Sequence, residues 1–375
     1  MNRELRHKGK KRMCIAILTV LLCIAFLVCI ILPPSLGKTK PFIDDKGNTL
    51  DGSISEKIHV DINGTSLGMF IMAKDDSKPV LLFLGGGPGI PEYFLEQNYP
   101  TGLENEFVVC YMDYRGTALS YNPAISIETM TSEQYIADVI GVTNYLLNRF
   151  NQNKIYLIGH SFGTYIGIRA ASQNPELYQA YIAIAQITNQ NKSEKIAYNY
   201  MLEQYRSAEN LKMVKKFEGY SILTSDKAYE QYFTSSLRDT AMHELGVGTM
   251  HHMNSVISGI FFPSLRCTVY TPAERINIWR GKALARETSV VTDSAQFNAF
   301  KDVPALDIPV YFLAGIYDYT CSYSLQKEYC EQIQAPLKGF YTFENSAHSP
   351  LFEEPKKALS ILLEDIVTGR NTLSD

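Results

Sequence analysis

The sequence has a single tryptophan, no basic run beyond its first 12 positions, and no internal repeat or low-complexity tract. Its cysteines and histidines fall at no metal-binding spacing. These gaps exclude several classes. Without a basic stripe or a reader motif, nucleic acid is not a predicted partner. His251 and His252 are adjacent, so on a helix they point in different directions and make a poor metal pair. No metal or cofactor is predicted. Seven cysteines in 375 residues are too few for a disulfide scaffold. A Cys321–Cys330 bridge is allowed only outside a reducing cytosol.

Charge is uneven. Six of the 35 Lys/Arg and one of the 39 Asp/Glu lie in residues 1–12, leaving 29 against 38, a net −9, for the rest. Residues 13–32 then run 20 positions without a charge and end at Pro33-Pro34. A helix of that length spans about 30 Å, the thickness of a bilayer core. The basic segment 1–12 stays on the cytoplasmic side, which places the remainder outside the cytoplasm on a single-pass anchor. The alternative is a cleaved signal segment with Ser35-Leu36-Gly37 as the processing site and a secreted product, although 20 residues is long for its apolar region. Residues 33–53 read as a polar stalk.

The rest of the chain is organised around residues 154–163, KIYLIGHSFG. An apolar run, 155–158, reads as a buried strand of a parallel sheet. It leads into Gly159-His160-Ser161-Phe162-Gly163, and a helix is predicted over 164–172. A G-x-S-x-G at a sharp strand-to-helix turn exposes the serine hydroxyl beside the free N–H groups of the helix start.

Around this element, strands are predicted at 57–62 and 66–73, paired by an Asn63-Gly64 hairpin turn, and at 80–84, 107–112 and 181–187. Thr131 and Gln134 form a capping-box pattern before a helix that packs Ile136, Val139 and Ile140 on the sheet. Alternating strands and helices predict an α/β fold with a mostly parallel sheet. Residues 54–188 form the first part of this core. Residues 189–305 break the rhythm and read as a helical cap over the site, whose aromatics and methionines mostly build its own core. Residues 306–375 restore the sheet with strands at 309–315 and 339–343.

Ser161 needs a base and an orienting carboxylate. Asp318 and His348 each follow a strand end, where sites form in parallel sheets. Asp302 and Asp307 are rival acids but precede their strand. Phe162 N–H and Gly87 N–H, the latter in Gly85-Gly86-Gly87-Pro88-Gly89, are the predicted oxyanion donors. His160, next to the nucleophile in sequence, is badly placed to reach the Ser161 hydroxyl.

The order Ser161, Asp318, His348 resembles that of α/β-hydrolases, and the chain resembles their proline iminopeptidase branch. Gly85–Gly89 is similar to its H-G-G-P-G. Residues 113–120, D-Y-R-G-T-A-L-S, resemble its D-Q-R-G-x-G-x-S. Ala347-His348-Ser349-Pro350 with Glu353-Glu354-Pro355 resembles its G-H-S-P…E-x-P. Gly85 stands where that branch has His, and His160 where it has Gly. The resemblance implies an α/β-hydrolase fold and release of an N-terminal residue from short peptides, without metal or cofactor. It also implies acidic cap residues that hold the substrate amine, for which Glu244 and Glu274 are the nominal candidates. An esterase or lipase-like hydrolase of small esters is the alternative, and a non-catalytic surface binding protein of the same fold the third reading. Epoxide hydrolase chemistry is disfavoured, since those enzymes carry Asp where Ser161 stands. The sequence leaves the oligomeric state open.

Overall fold

The structure, a computed structural model, describes residues 13, 15, 17–23, 26, 29–220, 222 and 226–375. Among them, eight strands form one sheet: β1 (Ile54–Ile62), β2 (Thr65–Ala73), β3 (Val80–Leu84), β4 (Val108–Met112), β5 (Ile155–His160), β6 (Tyr178–Ile184), β7 (Val310–Gly315) and β8 (Lys338–Phe343). Their order is β1-β2-β4-β3-β5-β6-β7-β8. β1 and β2 are antiparallel at one edge, and β2 runs antiparallel to β4; all later pairs are parallel. The β1–β2 turn places Asn63 and Gly64 at φ 49° and 73°, the positive pair that a tight hairpin needs. β6 ends three residues before the predicted 187, because Ala185 takes φ 53° and turns the chain out of the sheet.

The central strands β3, β4, β5 and β7 are buried along their whole length. Burying one Leu or Phe side chain stabilises the fold by roughly 1.5–3 kcal/mol, so this apolar sheet fixes the frame from which the loops project. One face is covered by α1 (Ser132–Phe150) and α2 (Phe162–Gln173), which contribute Tyr135, Ile136, Val139 and Ile166 to the core. Thr131 caps α1 by accepting the Gln134 amide at 3.1 Å. The predicted reciprocal half is not made, since the Gln134 side chain bonds Asp138 instead, at 3.0 Å.

Residues 190–302 form the helical insertion, beginning with α3 (Gln190–Ser207) and including α4 (Pro272–Arg286). Tyr198, Met201, Phe217, Tyr232 and Met242 pack into a core of its own, as the sequence reading expected of most of its aromatics and methionines. After β7 comes α5 (Tyr323–Gln332). Cys321 and Cys330 are buried free thiols.

The stalk is docked rather than free. Ser35 Oγ donates to the Thr268 carbonyl, Thr39 Oγ1 donates to Ser55 O at 2.7 Å, and Phe42 packs on the core. Among the described residues no helix is long and apolar enough to cross a membrane. The basic segment 1–12 and part of the 13–32 run lie outside the described residues. Those described between 13 and 31 are helical, with Met13, Leu18, Leu22 and Phe26 exposed.

Candidate active site

Ser161 sits between β5 and α2 at φ 54°, ψ −119°, a backbone conformation that costs an L-residue of order 1–3 kcal/mol. The turn is tight enough to dictate its neighbours. A Cβ on Gly163 would lie 2.1 Å from the Leu84 carbonyl oxygen, and one on Gly159 would lie 2.6 Å from that of Gly163. Both glycines of the motif are therefore steric requirements. The Phe162 amide opens α2, where the first N–H groups have no intrahelical acceptor, and its ring is buried against Tyr114 and Tyr135.

Asp318 and His348 meet. His348 Nδ1 lies 3.1 Å from each Asp318 carboxylate oxygen. Asp318 is fully buried and its oxygens also accept the Cys321 amide at 2.9 Å and the Gln326 side chain at 3.2 Å. These bonds fix the carboxylate so that it holds the imidazole with its Nδ1–H inward and Nε2 free to take a proton. The rivals Asp302 and Asp307 are exposed, and Asp302 instead accepts the Asn298 amide. Among the described residues no hydrogen bond joins Ser161 to His348, a contact that commonly tightens only when substrate binds.

The glycine turn after β3 lies against the serine. A Cβ on Gly86 would come within 3.3 Å of Ser161 Cβ. Gly87 adopts φ 117°, open only to glycine. The Gly86 amide donates to Glu92 Oε1 at 2.9 Å, and Tyr114 donates its hydroxyl to the Gly85 carbonyl at 3.1 Å. A Cβ on Gly85 would meet the Ile90 carbonyl at 2.9 Å and Glu92 Cγ at 3.1 Å, so this turn has no room for the His found in the resembling motif.

Residues 113–120 support that turn. Asp113 accepts the Leu119 amide at 3.0 Å, and Ser120 Oγ donates to the Asp113 carbonyl at 2.8 Å. Burial pushes the Asp113 carboxyl up to about 8, against the pull of the Leu119 bond. Arg115 makes two 2.8 Å bonds to buried Asp138. α4 packs directly on this loop, for a Cβ on Gly281 would lie 2.7 Å from Thr117 Cα.

The insertion rides on the loops of Asp318 and His348. Tyr317 stacks on His251 and Tyr319 on Tyr200, each with centroids 4.0 Å apart, so both neighbours of Asp318 are gripped from above. The His348 amide donates to Gly248 O at 3.3 Å. A cavity of about 550 Å³ lined by Met250, His252, Met253, Asn345, Phe352 and Glu353 flanks the His348 loop.

Among the described residues, neither amine-anchor candidate bonds to Ser161, Asp318 or His348. Glu274 pairs with Lys57 at 2.8 Å and accepts the Thr271 amide at 2.7 Å, closing the capping box of α4. Glu244 accepts the Tyr205 hydroxyl at 2.8 Å. Sequence reasoning missed Glu92. The available signal was an acid in the apolar stretch Ile90-Pro91-Glu92-Tyr93-Phe94, directly after the glycine turn.

A family model for the alpha/beta hydrolase fold matches residues 79–355. A probable aminopeptidase of Bacillus subtilis is 32% identical over 305 residues, covering 81% of this chain and 93% of that relative. Among solved structures, a proline iminopeptidase of Mycobacterium smegmatis aligns with TM-score 0.61 at 15% identity, over 84% of this chain and 98% of the other. A proline iminopeptidase-related protein of Thermus thermophilus aligns with TM-score 0.56 at 17% identity, over 84% and 99%. The last two show likeness of fold.

Proposed function

This chain belongs to the alpha/beta hydrolase fold family, and on that premise we propose that it is a serine hydrolase that releases an unblocked N-terminal residue from short peptides. The observation that carries the catalytic part is the two-oxygen contact of buried Asp318 with His348 beside the strained Ser161 turn. Ser161 Oγ attacks the scissile carbonyl carbon and passes its proton to His348 Nε2. Asp318 stabilises the resulting imidazolium. The Phe162 and Gly87 amides receive the oxyanion, where one such donor is worth about 10²–10³ in rate. The imidazolium protonates the leaving amine, and water then cleaves the acyl-Ser161 ester by the same route in reverse. The aminopeptidase part is supported by the relative that is 32% identical.

A second reading, a carboxylesterase of small esters, is favoured by the engagement of both Glu244 and Glu274 with other partners, which leaves neither as a ready anchor for a substrate amine. One comparison separates the two. Turnover of proline and alanine 4-nitroanilides, lost when the amine is acylated and lost in Ser161→Ala, supports the aminopeptidase. Ester turnover alone, lost in Ser161→Ala, replaces it with the esterase. Failure of a fluorophosphonate probe to label Ser161 in folded protein overturns both and favours a binding protein.

The enzyme is further proposed to be held by residues 13–32 with its hydrolase domain outside the cytoplasm. The uncharged run, the basic residues before it and the exposed apolar helical residues support this. Extraction of the full chain from membranes by alkaline carbonate without detergent would overturn the anchor, and an N-terminus beginning near residue 38 would replace it with a cleaved signal.

A further inference from the structure

His160 is buried next to Ser161, yet it faces away from the chemistry. Its Nδ1 lies 2.9 Å from Glu92 Oε1 and its Nε2 lies 2.9 Å from the backbone carbonyl of His348. The same Glu92 oxygen accepts the Gly86 amide at 2.9 Å. Three polar contacts thus link the glycine turn after β3, the serine turn after β5 and the histidine loop after β8.

We propose that Glu92 and His160 are a positioning pair that sets the oxyanion turn and the base loop together. This rests on the serine-hydrolase reading. Glu92 holds the Gly86 amide, and with it the Gly85–Gly86 peptide, which leaves only the φ and ψ of Gly86 between that anchor and the Gly87 N–H. His160 holds the His348 carbonyl and thereby the backbone from which the base projects. A displacement of about 1 Å at such groups can slow a reaction by about 10²-fold, so one pair that fixes both is a control point for the rate.

The contacts also fix the number of protons the pair holds. A carbonyl only accepts, so His160 Nε2 must carry a proton. The Nδ1 contact with Glu92 needs a second proton shared between the two, so the pair carries no net charge, and the raised His160 pKa puts that proton on the ring. Burial alone pulls the His160 pKa down; the Glu92 charge and bond, the His348 carbonyl and the Asp318 charge outweigh it and raise it. The ionisable groups facing it are Glu92 from the β3 turn, Asp318 from the β7 loop and the His348 ring, whose centroid is 5.3 Å away. Since the folded pKa is raised, the positioning is complete below the ordinary imidazole pKa near 6.5 and is lost as pH rises through the higher folded value.

Glutamine cannot replace Glu92. Its amide oxygen in the Oε1 place serves Gly86 and a proton on His160 Nδ1, but a neutral imidazole then has none on Nε2 for the His348 carbonyl. Its amide nitrogen in that place loses Gly86 instead. One contact of the three goes either way.

The test uses the full-length protein with ¹³Cε1-labelled histidine, His160→Gln serving to assign the His160 signal. In the wild type that signal titrates above the ordinary imidazole value of about 6.5, and in Glu92→Gln, where burial loses its main opponent, it titrates at lower pH than in the wild type. The same variant lowers kcat about 10- to 100-fold, with KM within about twofold and an earlier alkaline fall in kcat. A wild-type signal that titrates near the ordinary value overturns the pair, and so does a Glu92→Gln protein with wild-type kcat and pH profile. If Glu92→Gln does not fold, the wild-type titration alone decides. Wild-type protein that never labels with fluorophosphonate points to failure of the hydrolase reading. Wild-type protein that labels at the same rate as folded Glu92→Gln points to failure of the pair.

Discussion

Glu353 Oε2 accepts the backbone N–H of His251 at 2.6 Å while its Oε1 accepts that of Ala347 at 2.9 Å. One carboxylate therefore ties the cap to the loop of His348. Burial pushes its pKa up to about 7, against the pull of the amide bonds from His251, Ala347 and Ser349. The folded state thus holds this proton more tightly than the unfolded chain, whose glutamate titrates near 4.3. Its contribution to stability is complete below about 4.3 and is lost as pH rises through about 7.

Thermal unfolding of wild type and Glu353→Gln across that window reads this contribution. The Tm advantage of the wild type over the variant shrinks between about pH 5 and about pH 8. An advantage that grows with pH would mean that the three amides govern the carboxylate and hold its pKa down.

Removing the orienting acid separates position from charge. Asp318→Asn preserves shape and loses the carboxylate that faces His348 Nδ1. By the precedent of serine proteases, kcat drops about 10⁴-fold. Tm moves little if the Cys321 amide keeps its acceptor. Loss of less than about tenfold in a folded variant would assign the orienting role elsewhere.

The serine turn is predicted to be intolerant of one methyl group. Gly163→Ala places its Cβ 2.1 Å from the Leu84 carbonyl oxygen, which belongs to a central strand and cannot rotate away. Overpacking of this kind typically costs about 1–3 kcal/mol, and backbone against backbone sits at or above the upper end. Urea unfolding checks it: a midpoint within error of wild type would show that the turn relaxes far more readily than its contacts imply.

The sheet was readable because its central strands are continuous apolar runs bounded by glycine, and the Asp318–His348 contact because each member follows a strand end. What sequence reading missed depended on contacts between distant loops. His160 could be set aside as a base, but its real partners lie 68 and 188 positions away. Glu274 shows the opposite case. Thr271-Pro272-Ala273-Glu274 is a helix-start pattern with its capping acid in place, so the local signal already placed that carboxylate at the beginning of α4 rather than on a substrate. At Thr131 the same local rule gave only half the answer, because Asp138 competes for the Gln134 side chain.

The contact between the insertion and the Asp318 loop has its own test. Tyr319, beside Asp318, stacks on Tyr200 of α3 with ring planes 22° apart. Such a pair is worth about 0.5–1.5 kcal/mol beyond burial, and a double-mutant cycle of Tyr200→Leu and Tyr319→Leu isolates that coupling. The bonds of Asp318 to Cys321 and Gln326 involve neither tyrosine, so the expected outcome is a preserved chemical step and a loss that falls on the insertion. KM therefore rises more than kcat falls, and both single variants show the same split. A fall in kcat at constant KM would instead mean that the stack holds Asp318 in line with His348, and that the insertion supports that pair rather than only the substrate side.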